Sequence, residues 1–280
     1  MSAYSADEIM TIVAARSLRD GTSCLVGIGL PSTAANLARR LHAPRLTLIY
    51  ESGTIGSKPE VLPLSVGDGE LAETADVVVS IPEIFAYWLQ GGRVDVGFLG
   101  AAQIDRYGNL NSTVIGPYDA PRVRLPGAGG APEIAAHVRE VIVVIRQSPR
   151  TFVERLDFLT TAGFLDGGDA RERAGFAGRG PVRVITDLGV LAPDPVSREL
   201  VLTELHPGIE PEAARRATGW ALRIADPLGT TSPPTPLELA TLRELQERTA
   251  RAHAGTTERP VPSGMRPPSA TGTVNQVPSL

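Results

Sequence analysis

A carboxylate directly after a buried strand is the feature of this sequence that most suggests chemistry. Residues 46–50 (LTLIY) form an apolar run typical of a buried strand, and Glu51, Ser52 and Gly53 follow at once. A charged group at the end of such a strand is desolvated, exposed at a loop, or put to use. Glu51 is therefore a candidate functional residue.

Three polar or glycine-rich segments each follow a predicted strand, namely 50–56, 98–113 and 125–133. In an open α/β sheet, the loops after the strands gather at the carboxyl edge, where ligands bind. The glycines of the third segment could present backbone N–H groups to an oxyanion or another anionic group. A plain turn cluster is the alternative for any one segment, but three such segments beside a carboxylate favour a site.

Motifs of several other enzyme classes are absent. Residues 27–32 begin like a dinucleotide fingerprint, but Ser32 replaces its third glycine and Pro31 intrudes. Residues 53–58 lack the Gly-Lys-Ser/Thr of a phosphate loop, and no Gly-x-Ser-x-Gly elbow occurs. These observations argue against nucleotide binding through such loops and against a serine hydrolase of the elbow type.

The sequence also shows no pattern typical of a metal site. The four histidines are scattered without zinc-like spacing, and each is predicted to be a surface or turn residue: His42, His137, His206 and His253. The single cysteine, Cys24, falls in a predicted buried strand and is expected to belong to the core. We therefore expect no metal.

The elements around these residues alternate between helix and strand. Ser5 and Glu8 form a predicted capping box for a helix over 6–19, followed by a strand at 22–28, a helix from Ser32 to about 41 and the strand 46–50. Such alternation predicts an α/β fold with a mainly parallel sheet flanked by helices. Further strands are predicted at 76–80, 94–100 and 140–145, with a helix at 82–92. Residues 181–186 and 199–205 are predicted to form an antiparallel pair, separated by a turn at 192–198 and followed by a helix at 210–217.

The composition changes after residue 225. We expect a main domain over 1–225, then a linker and C-terminal helix over 226–253, and a disordered tail over 254–280. The linker covers 226–236, and Thr235 with Glu238 forms a predicted capping box for a helix that extends to about Arg251.

Charge and composition exclude some classes of partner. The net charge of −4 argues against nucleic-acid binding, which requires a basic surface. No apolar run approaches the roughly 20 residues of a membrane helix, and the N-terminus has acidic residues where a signal peptide would be basic. A single cysteine fits a reducing compartment, so we expect a cytoplasmic protein without membrane association.

An ordered set of motifs resembles the class I CoA-transferases, and within them the β-subunit of enzymes of the glutaconate CoA-transferase type. The resemblance covers roughly residues 5–225, and a pairing of two motifs gives it specificity. The matching motifs are GIGLP (27–31), ESG (51–53), LSVGD (64–68), GAAQIDRYGNLNST (100–113), GAGGA (127–131), VITDLGVL (184–191) and HPG (206–208). The specific pairing is AQID-x-YGN-x-N followed by G-x-GGA.

The resemblance implies a role for Glu51 as the nucleophile that attacks an acyl-CoA and then carries CoA as a covalent glutamyl thioester. Partial desolvation would strengthen this otherwise weak nucleophile. The predicted donors to the oxyanion and the acyl-CoA are the amides of Gly129 and Gly130 and the side chains of Gln103 and Asn109. Coenzyme A is then a co-substrate, with no permanently bound cofactor. The implied fold is related to the sugar-phosphate-isomerase-like folds.

The resemblance also implies a partner. The family's active site lies between an α-subunit, which carries much of the CoA site, and the β-subunit, so we expect an α-subunit partner in an α2β2 assembly. The expected substrates are an acyl-CoA and a free carboxylic acid, including dicarboxylic acids. The alternatives are a hydrolase or decarboxylase of the same fold that acts on a CoA-linked intermediate, and a ligand-sensing domain. Relatives that abandon transfer tend to lack the glutamate, so Glu51 favours transfer.

Overall fold

The computed structural model describes residues 4–254 and shows a ten-stranded sheet with helices on both faces. The strands are β1 (Ser23–Leu25), β2 (Thr47–Ile49), β3 (Thr54–Ile55), β4 (Val77–Val78), β5 (Val96–Leu99), β6 (Gln103–Ile104), β7 (Leu110–Asn111), β8 (Val114–Ile115), β9 (Val123–Arg124), β10 (Glu140–Val144), β11 (Pro181–Ile185), β12 (Gly189–Pro193), β13 (Leu200–Leu205) and β14 (Arg223–Thr230). The main sheet has the order β14-β13-β12-β11-β10-β5-β1-β2-β3-β4.

The helices fall between the strands, as the sequence pattern predicts. They are α1 (Ala6–Arg16), α2 (Leu30–Leu41), α3 (Gly69–Glu73), α4 (Ile81–Glu83), which continues as a π-helix (Ile84–Leu89), α5 (Ala131–His137), α6 (Ala170–Arg173), α7 (Pro211–Arg216) and α8 (Pro236–Ala254). The capping box at Ser5 is confirmed, because its side chain accepts from the backbone of Glu8 while Glu8 accepts from Ser5. Within residues 4–254, none of the helices combines the length and apolar character that a membrane span requires.

The five central strands, β11, β10, β5, β1 and β2, run parallel to one another. Their successive residues alternate between two apolar cores, as the period of a strand requires. Cys24 and Leu48 belong to the core covered by α1, α2 and α8, whereas Leu25 and Ile49 belong to the core covered by the π-helix and α5. The predicted mainly parallel α/β sheet is confirmed.

Antiparallel strands near residues 181–206 are also confirmed, but the predicted pairing of two of them is wrong. β12 lies between β11 and β13 and is antiparallel to both. The Thr186 hydroxyl accepts from the backbone of Leu188 and Gly189, at 3.1 and 3.0 Å, and so closes a tight turn. The chain therefore reverses at 186–189, and residues 189–193 form a strand before the turn.

The segment from residue 226, predicted to be a linker, instead continues a strand as far as Thr230. β14 pairs in parallel with β13 at the outer edge of the sheet. An edge position tolerates Pro227, because one side of an edge strand needs no backbone donor. The Pro- and Gly-rich composition of this segment therefore reflects its edge position.

The C-terminal helix α8 packs against α1 and α2. Leu239, Leu242 and Leu245 are buried, and the first two join the core under α1. The predicted capping box is confirmed, since the Thr235 hydroxyl accepts from the Glu238 backbone at 3.2 Å and the Glu238 carboxylate accepts from Thr235. The tail predicted over 254–280 lies, beyond Ala254, outside the described residues.

Two small hairpins extend the carboxyl edge of the central strands. β6 pairs with β7 after β5, and β8 pairs with β9 immediately before the glycine-rich loop at 127–130. Backbone hydrogen bonds from Leu125 to Thr113 (3.0 Å) and from Gly127 to Ser112 (2.8 Å) continue the second hairpin into that loop. The hairpins therefore fix where the glycine-rich loop begins.

Candidate active site

Glu51 occupies the second position of a tight turn at the carboxyl end of β2. The N–H of Gly53 donates to the carbonyl of Tyr50 at 3.0 Å, and the N–H of Tyr50 donates to the carbonyl of Thr54 at 3.0 Å. The turn joins β2 to the antiparallel strand β3. A short, hydrogen-bonded connection of this kind holds the Glu51 backbone in one place.

Two residues of the turn secure it to the rest of the molecule. Gly53 has a φ of +107°, and a Cβ at this position would lie 1.9 Å from the carbonyl oxygen of Val79, so no other residue fits. The fully buried ring of Tyr50 places its hydroxyl 3.0 Å from the Ser32 hydroxyl at the start of α2. Glu51 therefore lies between two anchored neighbours.

Gly130 lies directly against the Glu51 carboxylate. A Cβ built on Gly130 would lie 2.9 Å from the carboxyl carbon and from both carboxylate oxygens of Glu51. Gly130 is buried and immediately precedes α5, so its backbone is part of a helix start. The missing side chain at position 130 is what allows the backbone of the glycine-rich loop to reach the carboxylate.

Two opposing effects act on the pKa of the Glu51 carboxyl. Burial raises the pKa above its ordinary value and is the larger effect, while the backbone N–H of Gly130 lowers it by favouring the ionised form. No ion pair within the described residues involves Glu51. The carboxylate is therefore partly desolvated and uncompensated by a cation, which is the state that strengthens it as a nucleophile.

Ser112 ties the glycine-rich loop to the neighbouring hairpin. Its hydroxyl donates to the carbonyl of Gly127 at 2.8 Å, and its own carbonyl accepts from the N–H of Gly127 at 2.8 Å. Gly127 and Gly129 have φ values of +99° and +50°, in the left-handed region. The loop is thus fixed at its start, while Gly129 is exposed with no atom within 4 Å of a Cβ placed there.

Gln103 is buried beside this hairpin and mainly supports the loops around it. Its amide nitrogen donates to Asp157 at 3.0 Å, and its amide oxygen accepts from Asn111 at 2.7 Å and from the backbone of Asp157 at 3.1 Å. One amide proton of Gln103 has no partner among residues 4–254. Its role as a donor to an acyl-CoA stays a prediction.

The hydrogen bonds of Asn109 do not favour the oxyanion role predicted for it. Its two amide protons are donated to Asp105 and to the carbonyl of Leu165, both at 2.8 Å. Its amide oxygen accepts from the backbone of Gly163 (2.8 Å) and Leu165 (3.0 Å). All of its hydrogen-bonding capacity is used within the fold, so in this structure Asn109 has no donor left for an oxyanion.

His206 also differs from its prediction as a surface or turn residue. It is buried, with Nδ1 2.8 Å from the Thr231 hydroxyl and Nε2 2.8 Å from the Thr186 carbonyl. Burial lowers the pKa of its imidazole. The HPG motif therefore joins the end of β14 to the turn at 186–189.

Within residues 4–254, no group of three or more His, Cys, Asp or Glu side chains is placed to hold a metal ion.

Sequence reasoning did not identify the residues that position the site. Ser32 hydrogen-bonds to the Tyr50 hydroxyl, Ser112 makes two hydrogen bonds to Gly127, and Val79 packs against Gly53 and donates to its carbonyl. Serine and valine at such positions look like ordinary loop or strand residues, although Ser112 falls within the motif GAAQIDRYGNLNST. The same applies to the π-helix, whose sequence gives the expected helical pattern but not its wider turn.

The sequence of this chain matches a known protein family and two of its characterised relatives. The family described as coenzyme A transferase matches residues 8–214. The B subunit of 3-oxoadipate CoA-transferase from Pseudomonas knackmussii is 60% identical over 253 residues, covering 90% of this chain and 97% of that protein. The B subunit of glutaconate CoA-transferase from Acidaminococcus fermentans is 34% identical over 247 residues, covering 86% and 92%.

Solved structures show the same fold. The crystal structure of glutaconate coenzyme A-transferase from Acidaminococcus fermentans matches with a TM-score of 0.81 at 33% identity, covering 86% of this chain and 94% of that one. The decarboxylase AibA/AibB matches with a TM-score of 0.76 at 28% identity, covering 89% and 97%. By sequence and by fold, this chain belongs to the coenzyme A transferase family.

Proposed function

We propose that this chain is the nucleophile-bearing subunit of a heteromeric CoA-transferase that forms a covalent thioester between CoA and Glu51. The observation that carries the proposal is the hydrogen bond from the Gly130 backbone to the Glu51 carboxylate, at a position where a Cβ would lie 2.9 Å from that carboxylate. A backbone N–H held against a carboxylate is placed to stabilise the oxyanion that forms when that carboxyl group is itself attacked.

The proposed chemistry proceeds in two halves. A Glu51 oxygen attacks the acyl-CoA carbonyl and forms an acyl–glutamyl anhydride, while the carbon–sulfur bond breaks and CoA leaves as a thiolate. The thiolate then attacks the Glu51 carbonyl carbon, and the first acid leaves as a carboxylate. An incoming carboxylate repeats these steps in reverse and departs as the new acyl-CoA, which returns Glu51 to its ionised form.

Gly130 has a defined part in these steps. Its N–H faces the glutamyl carboxyl group and so stabilises the negative charge that develops on the Glu51 carbonyl oxygen during thiolate attack. Gly129, one residue earlier, is exposed and left-handed, so its amide is available to the reacting acyl group. We propose these two glycines as the oxyanion donors.

The proposed acids are short dicarboxylic acids. The relatives that are 60% and 34% identical are named for 3-oxoadipate and glutaconate, which both carry two carboxylates. One carboxylate would form the thioester and the other would remain free for recognition. We also propose an α-type partner, since the relatives are named as B subunits, with an α2β2 assembly that acts in the cytoplasm.

A hydrolase or decarboxylase is the second candidate, favoured by the structural match to AibA/AibB. The measurement that separates these reactions follows CoA and carbon dioxide when the chain, co-expressed with its partner subunit, receives an acyl-CoA and a second acid. A transferase makes the second acyl-CoA and conserves total thioester. Free CoA thiol released without a new thioester would show hydrolysis, and carbon dioxide would show decarboxylation; either result would contradict the proposal.

A further inference from the structure

A cavity of about 500 Å³ lies at the amino edge of the sheet, opposite to the edge that carries Glu51. It is formed where β11 begins and β12 ends, because β12 runs antiparallel to β11 and so finishes beside the start of its neighbour. The central strand β10 is five residues long, and a strand of that length separates the two edges by about 16 Å. The cavity is therefore separate from the Glu51 turn, and its volume is typical of a small-molecule site.

The cavity joins an apolar wall to positively charged groups. The apolar side chains of the wall are Phe164, Phe176, Val182, Ala192 and Pro193. The Arg171 guanidinium carbon lies 4.7 Å from the centre of the Phe176 ring, and that of Arg198 lies 5.6 Å from the centre of the Phe164 ring. Cations held over aromatic rings place positive charge directly beside apolar surface. A ligand that suits this wall has an anionic group on an apolar body.

Arg171 brings a buried positive charge to the cavity without a counter-ion. Its side chain is only 4% exposed, and no ion pair within residues 4–254 involves it. It donates to four backbone carbonyls, and one of its five N–H groups remains free. The acceptors are the carbonyls of Ala135, Ala162, Gly163 and Gly178. Burial lowers the pKa of Arg171 to about 10. Since an unpaired buried charge is costly, an anion in the cavity would relieve that cost.

The other charged groups of the lining already have partners of opposite charge. Arg179 pairs with Glu140 at 2.6 Å, and Arg198 lies 3.7 Å from Glu172. The Glu172 side chain is largely exposed, so its contact with Arg198 is weakened by solvent. In the part of the chain that the structure describes, the Arg171 charge is the one charge of the lining without a partner. The charge balance therefore favours a ligand with a single negative charge.

Arg198 is held at the cavity by a left-handed backbone. Its φ is +63°, in a region that favours glycine, and Leu165 is the only other non-glycine residue of the described chain in that region. Its N–H donates to the carbonyl of Asp194 at 3.0 Å and closes the turn before β13. Residues kept in such conformations cluster at ligand sites. A glycine would adopt this backbone without strain, so the arginine is explained by its side chain, which lines the cavity.

We propose that this cavity binds a small monocarboxylate with an apolar body, whose carboxylate contacts Arg171 and Arg198 and whose body packs on Phe164 and Phe176. A carboxylate suits one free N–H of Arg171 and a weakly paired Arg198, whereas a phosphate dianion requires more donors. The site is an additional one at the amino edge and does not depend on CoA transfer at Glu51.

The test measures ligand binding by titration calorimetry on the complex with the partner subunit. The probe is benzoate, an aromatic monoanion. Benzamide has the same shape without the charge, and inorganic phosphate has charge without an apolar body. Benzoate is expected to bind saturably, and at least about tenfold more tightly than either comparison compound. Glu51→Gln should leave benzoate binding unchanged, because Glu51 lies at the opposite edge of the sheet; loss of binding in this variant would assign the benzoate to the Glu51 site and overturn the inference.

Arg198→Gly is the most informative variant, because it removes the guanidinium and suits the left-handed backbone, so the fold is kept. It is expected to weaken benzoate binding about tenfold. Arg171→Gln should weaken it at least as much; if this variant does not fold, Arg198→Gly still decides. The control is Arg173→Gln, an exposed arginine on the same helix, α6, outside the lining, which should leave binding unchanged. Unchanged benzoate binding in Arg198→Gly, equal affinity for benzamide, or no saturable binding by the wild type would overturn the inference.

Discussion

The Glu51 carboxylate is partly buried and has one neighbouring backbone donor, the N–H of Gly130. Among the described residues, no cationic side chain forms an ion pair with it. A salt bridge would make the ionised form more stable and a poorer nucleophile. Here the residue has the opposite environment, in which the ionised carboxylate is less stable and more reactive. Two predictions at the scale of single residues follow from this geometry.

The first concerns the stability contribution of Glu51. Since its folded-state pKa is raised, ionising Glu51 destabilises the folded protein as pH rises through that pKa, and the loss is absent below the unfolded value of about 4.5. Glu51→Gln is therefore expected to unfold at an equal or higher denaturant concentration than wild type at pH 7, with the difference disappearing near pH 4. A large loss of stability at pH 7 would indicate a structural role for Glu51.

The second concerns Gly130. Gly130→Ala would place a methyl group 2.9 Å from the Glu51 carboxylate and is expected to lower kcat by about 10²-fold or more, with a small effect on stability. Gly21→Ala is the matched control, because Gly21 lies before β1 and away from the Glu51 turn, its Cβ would meet open space, and its only cost is a left-handed φ, about 1 kcal/mol. Steady-state kinetics of both variants should differ sharply; equal activities would contradict the role of Gly130.

At the scale of elements, the alternation of helices and strands predicts the parallel sheet and places Glu51 at its carboxyl edge. Hydrophobic pattern is sufficient for this because both faces of the central strands are buried. Hydrophobic pattern is not sufficient for β12 and β14. The chain reverses before β12 at a turn closed by Thr186, and part of β12 has the sequence of a turn. β14 is an edge strand that contains a proline, and its sequence is typical of a linker. Which strands are neighbours depends on contacts between distant residues, which local pattern does not contain.

The sequence predicts some features of the site and not others. Glu51 and Gly130 can be identified from motifs, and the structure brings them together. The direction of a side-chain amide cannot be read from a motif, and Asn109 turns its amide into the fold and away from the predicted oxyanion role. Gly130 and Asn109 both lie in glycine-containing motifs. Only their hydrogen-bond partners distinguish a residue that faces Glu51 from one that supports the fold.

The buried His206 supports a prediction on how β14 is held. Its folded-state pKa is lowered, so the unfolded chain binds a proton more readily and stability falls as pH decreases below the unfolded value of about 6.5. Denaturant unfolding of wild type between pH 7.5 and about 5.5 should show this decline. His206→Gln should unfold more easily at pH 7.5 but lose the dependence; an unchanged pH dependence in the variant would contradict this assignment.

At the scale of the whole molecule, several large apolar residues are exposed near the Glu51 turn. They cluster around the edge strand β4 and the helix that follows it: Val77, Val78, Ile81 and Tyr87. The adjoining Val79 donates its backbone N–H to the carbonyl of Gly53 at 2.9 Å, so this surface is continuous with the Glu51 turn. Exposed apolar surface beside an edge strand is typical of a binding interface, and the proposed α-subunit is its expected occupant.

This surface gives a prediction about assembly. Val78→Glu, at a side chain that is about half exposed, is expected to weaken association with the partner subunit about tenfold or more and to leave the fold of this chain intact. Val196→Glu, at an exposed valine in the turn before β13, is the control and should not affect assembly. Size-exclusion chromatography of the co-expressed pair measures the outcome. Equal assembly of both variants would place the interface elsewhere.

The most direct test of the covalent role of Glu51 is to trap its thioester. The complex is incubated with an acyl-CoA, reduced with borohydride and digested, and the peptide that contains Glu51 is measured by mass spectrometry. We predict that this glutamate is reduced to its alcohol only when acyl-CoA is present, and that Glu51→Gln gives no modified peptide. Transfer of CoA at the wild-type rate without reduction at Glu51, or with reduction at another carboxylate, would contradict this role.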